Sequence, residues 1–147
     1  MYVLIIGGRY GSNASGEAGT TKGFYEVYDS VTRQEYLVAS QRGIPTYALV
    51  DQSVYADYEN FTKNRDNSSF TYAHVDSVNV FRLLEHILRQ RLNNPVFPFT
   101  RFSDIEAVLR EQWSGHFRDL LARASSQRQL HSLNDQVNHL SEISANI

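Results

Sequence analysis

Two short clusters carry the residue types that could do chemistry. Gly7, Gly8, Arg9 and Tyr10 close one apolar run, and Asp29, Ser30, Thr32 and Glu35 open a helical pattern. A guanidinium directly after two glycines suits a phosphate, because the glycines let backbone approach a ligand and the fork of donors can grip it. Asp29, Ser30 and Thr32 can hydrogen-bond ribose hydroxyls, and Tyr10 can stack on a base. Each residue also has a plainer use. Arg9 can form an ion pair with Glu35 or Asp29, and Tyr10 can simply pack. Ser30 or Thr32 can cap the helix, and Thr32 with Glu35 matches a Ser/Thr-x-x-Glu capping box. Glu35, in the first turn or just after it, can offset the helix dipole.

The elements that must position these residues follow from periodicity. Tyr2–Ile6 is apolar at successive positions and predicts a strand buried on both faces. A polar loop follows over residues 11–23, with Gly11, Gly16, Gly19 and Gly23, long for a strand-to-helix connection. Phe24–Tyr28 reads as a short extended segment or a lid that packs down. A helix with Leu37, Val38 and Ala39 on its apolar face ends at Gly43, and Thr46–Val50 is the second buried strand. Two apolar strands joined through a helix make a βαβ unit, hence a parallel sheet. Ligand-binding groups in such sheets gather where strands end and helices begin. Both clusters fall on that rim.

Downstream, Ser53 is expected to cap a helix through Val54, Tyr58 and Phe61. Phe70–Val75 reads as a third strand. Asp76 or Ser77 starts a helix with the stripe Val80, Phe81, Leu84, Ile87 and Leu88, stopped by Asn93, Asn94 and Pro95. Val96–Phe99 is a short edge strand, since Pro98 lacks a ladder donor. Ser103 to Glu106 is a second capping box. It opens a helix through Ile105, Val108, Leu109, Trp113, Phe117, Leu120 and Leu121. After Ala124 the polar residues 125–129 thin the pattern, which resumes at Leu130, Leu133, Val137 and Leu140 with heptad-like spacing. We therefore divide the chain into an α/β domain over 1–124 and a helical extension or linker over 125–147.

Gly7-Gly8-Arg9, followed by Asp29-Ser30, Thr32, Glu35, Ala39, Gly43 and Pro45, resembles the nucleoside 2-deoxyribosyltransferase-like superfamily. The run from Tyr2 to Gly11, with Thr32, Glu35 and Tyr36, is more similar still to domain-of-unknown-function family 4062, a TIR-like module of signalling and defence proteins. Val31 and Ile44 depart from the transferase pattern, which has glycine and lysine there. The resemblance implies a flavodoxin- or TIR-like parallel sheet flanked by helices, lacking its first βα unit, with a C-terminal helical extension. It implies a role for Glu35 as the carboxylate that stabilises or captures an oxocarbenium-like ribosyl carbon. It also implies Gly7, Gly8, Arg9, Tyr10, Asp29, Ser30 and Thr32 as nucleotide contacts, with NAD or another nucleotide as ligand or substrate. The expected function is a nucleotide- or nucleoside-binding signalling or defence module, with or without cleavage of an N-glycosidic bond. The alternative is a non-catalytic module for protein interaction and self-association.

Composition narrows the rest. The chain has 147 residues, 20% of them charged and 41% apolar, with a net charge of −2. That is ordinary for one globular domain and offers no electrostatic reason to expect nucleic acid or an anionic membrane. Cysteine is absent, which excludes disulfides and thiolate metal sites and fits a cytoplasmic protein. The five histidines show no metal-ligand spacing, and Gly7–Gly11 is no Walker loop. No apolar run approaches the roughly 20 residues of a spanning helix, and Met1 leads into a strand with no basic signal-peptide region. The bare edge of that first strand leads to the expectation of a preceding segment, a partner or a homo-oligomer that covers it.

Overall fold

The computed structural model describes residues 1–11, 14, 22–90 and 95–145. Ser12, Gly16 and Gly19 of the polar loop, and the helix-stopping Asn93 and Asn94, lie outside the described residues. The elements are β1 (Tyr2–Ile6), α1 (Val31–Gln41), β2 (Thr46–Asp51), α2 (Gln52–Lys63), α3 (Asn79–Arg89), β3 (Val96–Phe99) and α4 (Phe102–Ala145). They group into two compact units, Met1–Ile105 and Glu106–Ile147.

In the first unit the three strands form one parallel sheet in the order β1-β2-β3. The register sets Tyr2 opposite Thr46 and Ile6 opposite Val50, then Ala48 opposite Val96 and Asp51 opposite Phe99. Strand β3 is an edge, as Pro98 requires. Leu4, Ile6, Ala48 and Val50 alternate onto one face and join Tyr36, Val54, Phe61, Phe81, Leu84 and Ile87 in a single core. Strand β1 is not buried on both faces: Ile5 points the other way and keeps 54% of its surface. Among the described residues it is an edge strand covered on one side.

Ser30 is the cap of α1. Its hydroxyl accepts from the Arg33 backbone N–H at 3.2 Å, so Thr32 lies inside the helix. Glu35 therefore sits in the second turn, and α1 has no acidic residue in its first. At the other end Gly43 takes φ 65°, and Ile44 donates back to the Ala39 carbonyl, a left-handed stop that suits glycine. Helix α2 is capped by Asp51 rather than by Ser53: the Asp51 carboxylate accepts the Ser53 N–H at 2.8 Å. The Ser53 hydroxyl donates to the same carboxylate and is the main cause that holds the Asp51 carboxyl below its ordinary value of 3.8, with the backbone bond adding to it.

The predicted strand at Phe70–Val75 is not formed. The edge of β2 distal to β1 belongs to β3, and the His74 N–H and ring both bond the Asp57 carboxylate, at 2.9 and 3.1 Å. The segment is instead anchored by aromatic packing. Tyr72 lies 4.9 Å from Phe81, 6.1 Å from Phe61 and 6.0 Å from Phe24, stacked on the last. Phe24–Tyr28 packs down without becoming a strand. The Phe24 carbonyl accepts the Val78 N–H, and the Glu26 carbonyl accepts the Asn79 side chain.

Helix α3 buries Val80, Phe81, Leu83, Leu84 and Ile87, while Leu88 stays 39% exposed. Its cap residue is Val78, with Ser77 one position earlier accepting the Asn79 N–H at 3.2 Å. Helix α4 begins at Phe102, one residue before the predicted box. Asp104 reaches back to the Thr100 and Arg101 N–H groups at 3.0 and 2.9 Å. The polar residues 125–129 do not interrupt it.

Candidate ligand-binding site at the sheet rim

The segment leaving β1 is held by the chain itself. A Cβ on Gly8 would come within 2.0 Å of the His74 carbonyl oxygen, so the space that glycine leaves is filled by backbone. Asp76 fastens the contact on both sides, its N–H donating to the Gly8 carbonyl at 2.8 Å and its carboxylate accepting the Tyr10 N–H at 3.0 Å. A Cβ on Gly7, by contrast, would meet open space. Arg9, directly after Gly8, is exposed. Gly11, at φ 95°, turns over Thr32, whose hydroxyl would lie 3.4 Å from an added Cβ.

Beyond this turn lies a cavity of about 230 Å³. One wall is Tyr10, Val27, Tyr28 and Asp29 with Arg33 from α1. The other is the polar side of α3: Asn79, Arg82, Glu85, His86 and Arg89. The rings of Tyr10 and Tyr28 meet edge to face at 5.1 Å. Burial is the main cause that pushes both hydroxyls above their ordinary value of 10.0, so both remain neutral donors at physiological pH. His86 sets its ring edge-on to buried Tyr36 at 5.9 Å.

The cavity charges are partly matched. Arg33 pairs with Asp29 at 2.5 Å and Arg89 with Glu85 at 2.8 Å. Glu85 also takes Arg65, at 2.6 Å, and that bond chiefly holds its carboxyl below the ordinary 4.5. Among the described residues Arg82 reaches the Asn79 side-chain oxygen, at 3.4 Å. Three lining guanidiniums against two lining carboxylates leave one positive charge, and Arg82 is the cation with no carboxylate partner among the described residues. Asn79, almost fully buried, spends its amide on the Glu26 carbonyl and the Ser77 hydroxyl, so it braces this wall.

The residues singled out in the sequence are thus divided. Tyr10 and Asp29 line the cavity, and buried Ser30 caps the helix that presents Arg33. Gly8 holds the turn, Gly7 and Arg9 are on the surface side, and Thr32 backs Gly11. Glu35 is elsewhere. It is exposed, and its carboxylate faces the hydroxyl of Tyr2, at the opposite end of β1 from Tyr10; burial first, and the Glu35 charge with it, raises the Tyr2 pKa. Sequence reasoning missed the α3 wall. Its signal was present: Asn79, Arg82, His86 and Arg89 recur at steps of 3, 4 and 3, one polar stripe on a helix read only for its apolar one. Among the described residues no group of three or more His, Cys, Asp or Glu is placed to hold a metal ion, and no helix is long and apolar enough to cross a membrane.

No curated protein and no solved structure matches the chain. One family does: the match to the domain of unknown function DUF4062 runs over residues 1–114, covering the whole sheet, the rim and the start of α4, and the chain belongs to that family.

Proposed function

We propose that this chain is a nucleotide-binding module of the signalling or defence type, which holds the sugar-phosphate part of a nucleotide in the rim cavity. The observation that carries this reading is Arg82, a guanidinium without a carboxylate partner among the described residues, facing a polar cavity walled by two neutral tyrosines. An arginine so placed suits a phosphate, and tyrosine hydroxyls suit a ribose. At about 230 Å³ the space is below the ~300–1,000 Å³ of typical ligand pockets. It takes a phosphate with its sugar, and a whole dinucleotide would have to leave most of itself outside. The relation to TIR-like and deoxyribosyltransferase-like proteins belongs to the same proposal, resting on the residue pattern from Gly7 to Pro45 and on the parallel sheet. So does action in the cytoplasm, which the absence of cysteine fits.

Cleavage of an N-glycosidic bond by Glu35 draws no support from the cavity, since Glu35 does not line it. Binding is therefore the reading we adopt. Calorimetric titration with inorganic phosphate, ribose 5-phosphate, AMP and NAD tests it. Ribose 5-phosphate is expected to bind, Arg82→Gln to weaken it at least about tenfold, the scale of one lost charge-assisted bond, and Glu35→Gln to leave it unchanged. Absence of binding by all four compounds, or equal binding by the Arg82 variant, would refute the proposal. Release of base from NAD that disappears in Glu35→Gln would restore the enzymatic reading instead.

A further inference from the structure

The two carboxylates that line the rim cavity are held in unlike ways. The Glu85 side chain is only 18% exposed and meets two guanidiniums, Arg65 at 2.6 Å and Arg89 at 2.8 Å. Moving a carboxylate so enclosed would strip two cations of their partner, so it stays in place. Asp29 differs on both counts. Its side chain is 54% exposed, and among the described residues its one carboxylate partner is Arg33, four positions along the chain at 2.5 Å. An i,i+4 pair this open to water is weak, because solvent screens it and rehydrates the carboxylate as it swings out.

The backbone lets that side chain move alone. The Asp29 carbonyl accepts the Ala14 N–H at 2.9 Å. The next residue, buried Ser30, caps α1 by accepting the Arg33 N–H. Asp29 thus occupies the Arg33 fork without being fixed in it. Once it turns to water, Arg33 on one wall and Arg82 on the other both face the cavity, while Glu85 still answers Arg89. Three lining guanidiniums less the single charge of Glu85 then leave +2, where the pair had left +1. A phosphate monoester carries about two negative charges near neutral pH, with oxygens enough for two forks. A diester carries only one charge and would leave a guanidinium unmatched.

We propose that Asp29 is a stand-in for the phosphate of the ligand: it holds the Arg33 fork until a phosphate monoester takes its place, which Arg33 and Arg82 then grip from the two walls. This rests on the cavity's being a sugar-phosphate site. It adds the residue that sets affinity there and the ligand class, a monoester in preference to a diester.

Calorimetric titration of the full chain with ribose 5-phosphate, its methyl diester and inorganic phosphate tests it. Ribose 5-phosphate should bind at least about fivefold more tightly than the diester, the scale of one unmatched charge. Asp29→Asn should tighten ribose 5-phosphate and inorganic phosphate alike by about threefold to fivefold, the worth of an exposed ion pair that no longer has to be displaced. Arg33→Gln should weaken both, and adding Asp29→Asn to it should bring no gain, since the carboxylate acts by holding that fork. A carboxylate that merely repels anions would still give its gain in the Arg33→Gln background. One that accepts a ribose hydroxyl would weaken ribose 5-phosphate on Asp29→Asn and leave inorganic phosphate unchanged. Either result, or equal binding of the diester, overturns the inference. Arg82→Gln checks the site itself. Binding that Arg82→Gln weakens but Asp29→Asn leaves alone removes the stand-in and keeps the site; no binding, or binding indifferent to Arg82, removes both.

Discussion

Helices α3 and α4 are built from the same kind of apolar repeat and meet opposite fates. Helix α3 has 11 residues and buries six of them; α4 has 44 and buries only Ile105. The contrast extends to their charges. On α3, Glu85 is shared between Arg65 and Arg89 with its side chain only 18% exposed. On α4, Glu106 and Arg110 pair at 2.6 Å with both side chains largely in water. Periodicity states which face of a helix is apolar, but not what covers it. What covers α3 comes from remote chain: the sheet, α1, α2 and the aromatic segment around Tyr72. Such a partner can be found only once the chain has closed on itself.

The sharpest way to break the contrast is to empty the α3 core. Phe81 is fully buried against Phe61, Tyr58 and Tyr72, and Phe81→Ala is expected to cost about 3–5 kcal/mol in urea unfolding. A loss below about 1 kcal/mol, the scale of a surface change, would mean that α3 is not the keystone of unit one.

Acid titration gives the next effect. The Glu85 and Asp51 carboxyls are held below their ordinary 4.5 and 3.8, chiefly by the Arg65 and Ser53 bonds. A carboxylate depressed on folding stabilises the fold above its unfolded pKa, and that stabilisation is lost as pH falls through the folded value. Thermal stability should therefore be level near neutrality and fall once pH drops below 4.5. The Glu85→Gln variant, less stable at neutral pH by about 0.5–1 kcal/mol, should fall less steeply. Parallel curves for the two proteins would show the Glu85 pairs to be idle.

The matched change on α4 completes the series. Glu106→Gln removes an exposed i,i+4 pair and should shift stability by about 0.3 kcal/mol, near the detection limit of chemical unfolding. A shift as large as that of Glu85→Gln would place α4's first turns in a tighter environment than their exposure indicates.

The sequence by itself indicated the parallel α/β class, because two continuous apolar runs joined through a helical repeat read as a βαβ crossover. It determined the bounds of β1, β2 and β3 to within a residue and the glycine stop at Gly43, since each depends on neighbours along the chain. It named Ser30 among two candidate caps of α1, but its caps for α2 and α3 were off by one or two positions, because serine, threonine and aspartate all compete for one helix start. Only the tertiary structure decided the rest. A strand needs a free edge, and β3 occupies the one that Phe70–Val75 would require. Gly8 needs its bare Cα because His74, 66 positions away, passes over it. Glu35 and Tyr10 share one βαβ unit, yet one helical turn carries the carboxylate down toward Tyr2 and away from the cavity. The cavity itself is assembled from the end of β1, the start of α1 and the polar stripe of α3. Chain separations of about 70 residues bring Tyr10 to Arg82, and no local pattern encodes a meeting at that distance; packing of the shared core brings them together.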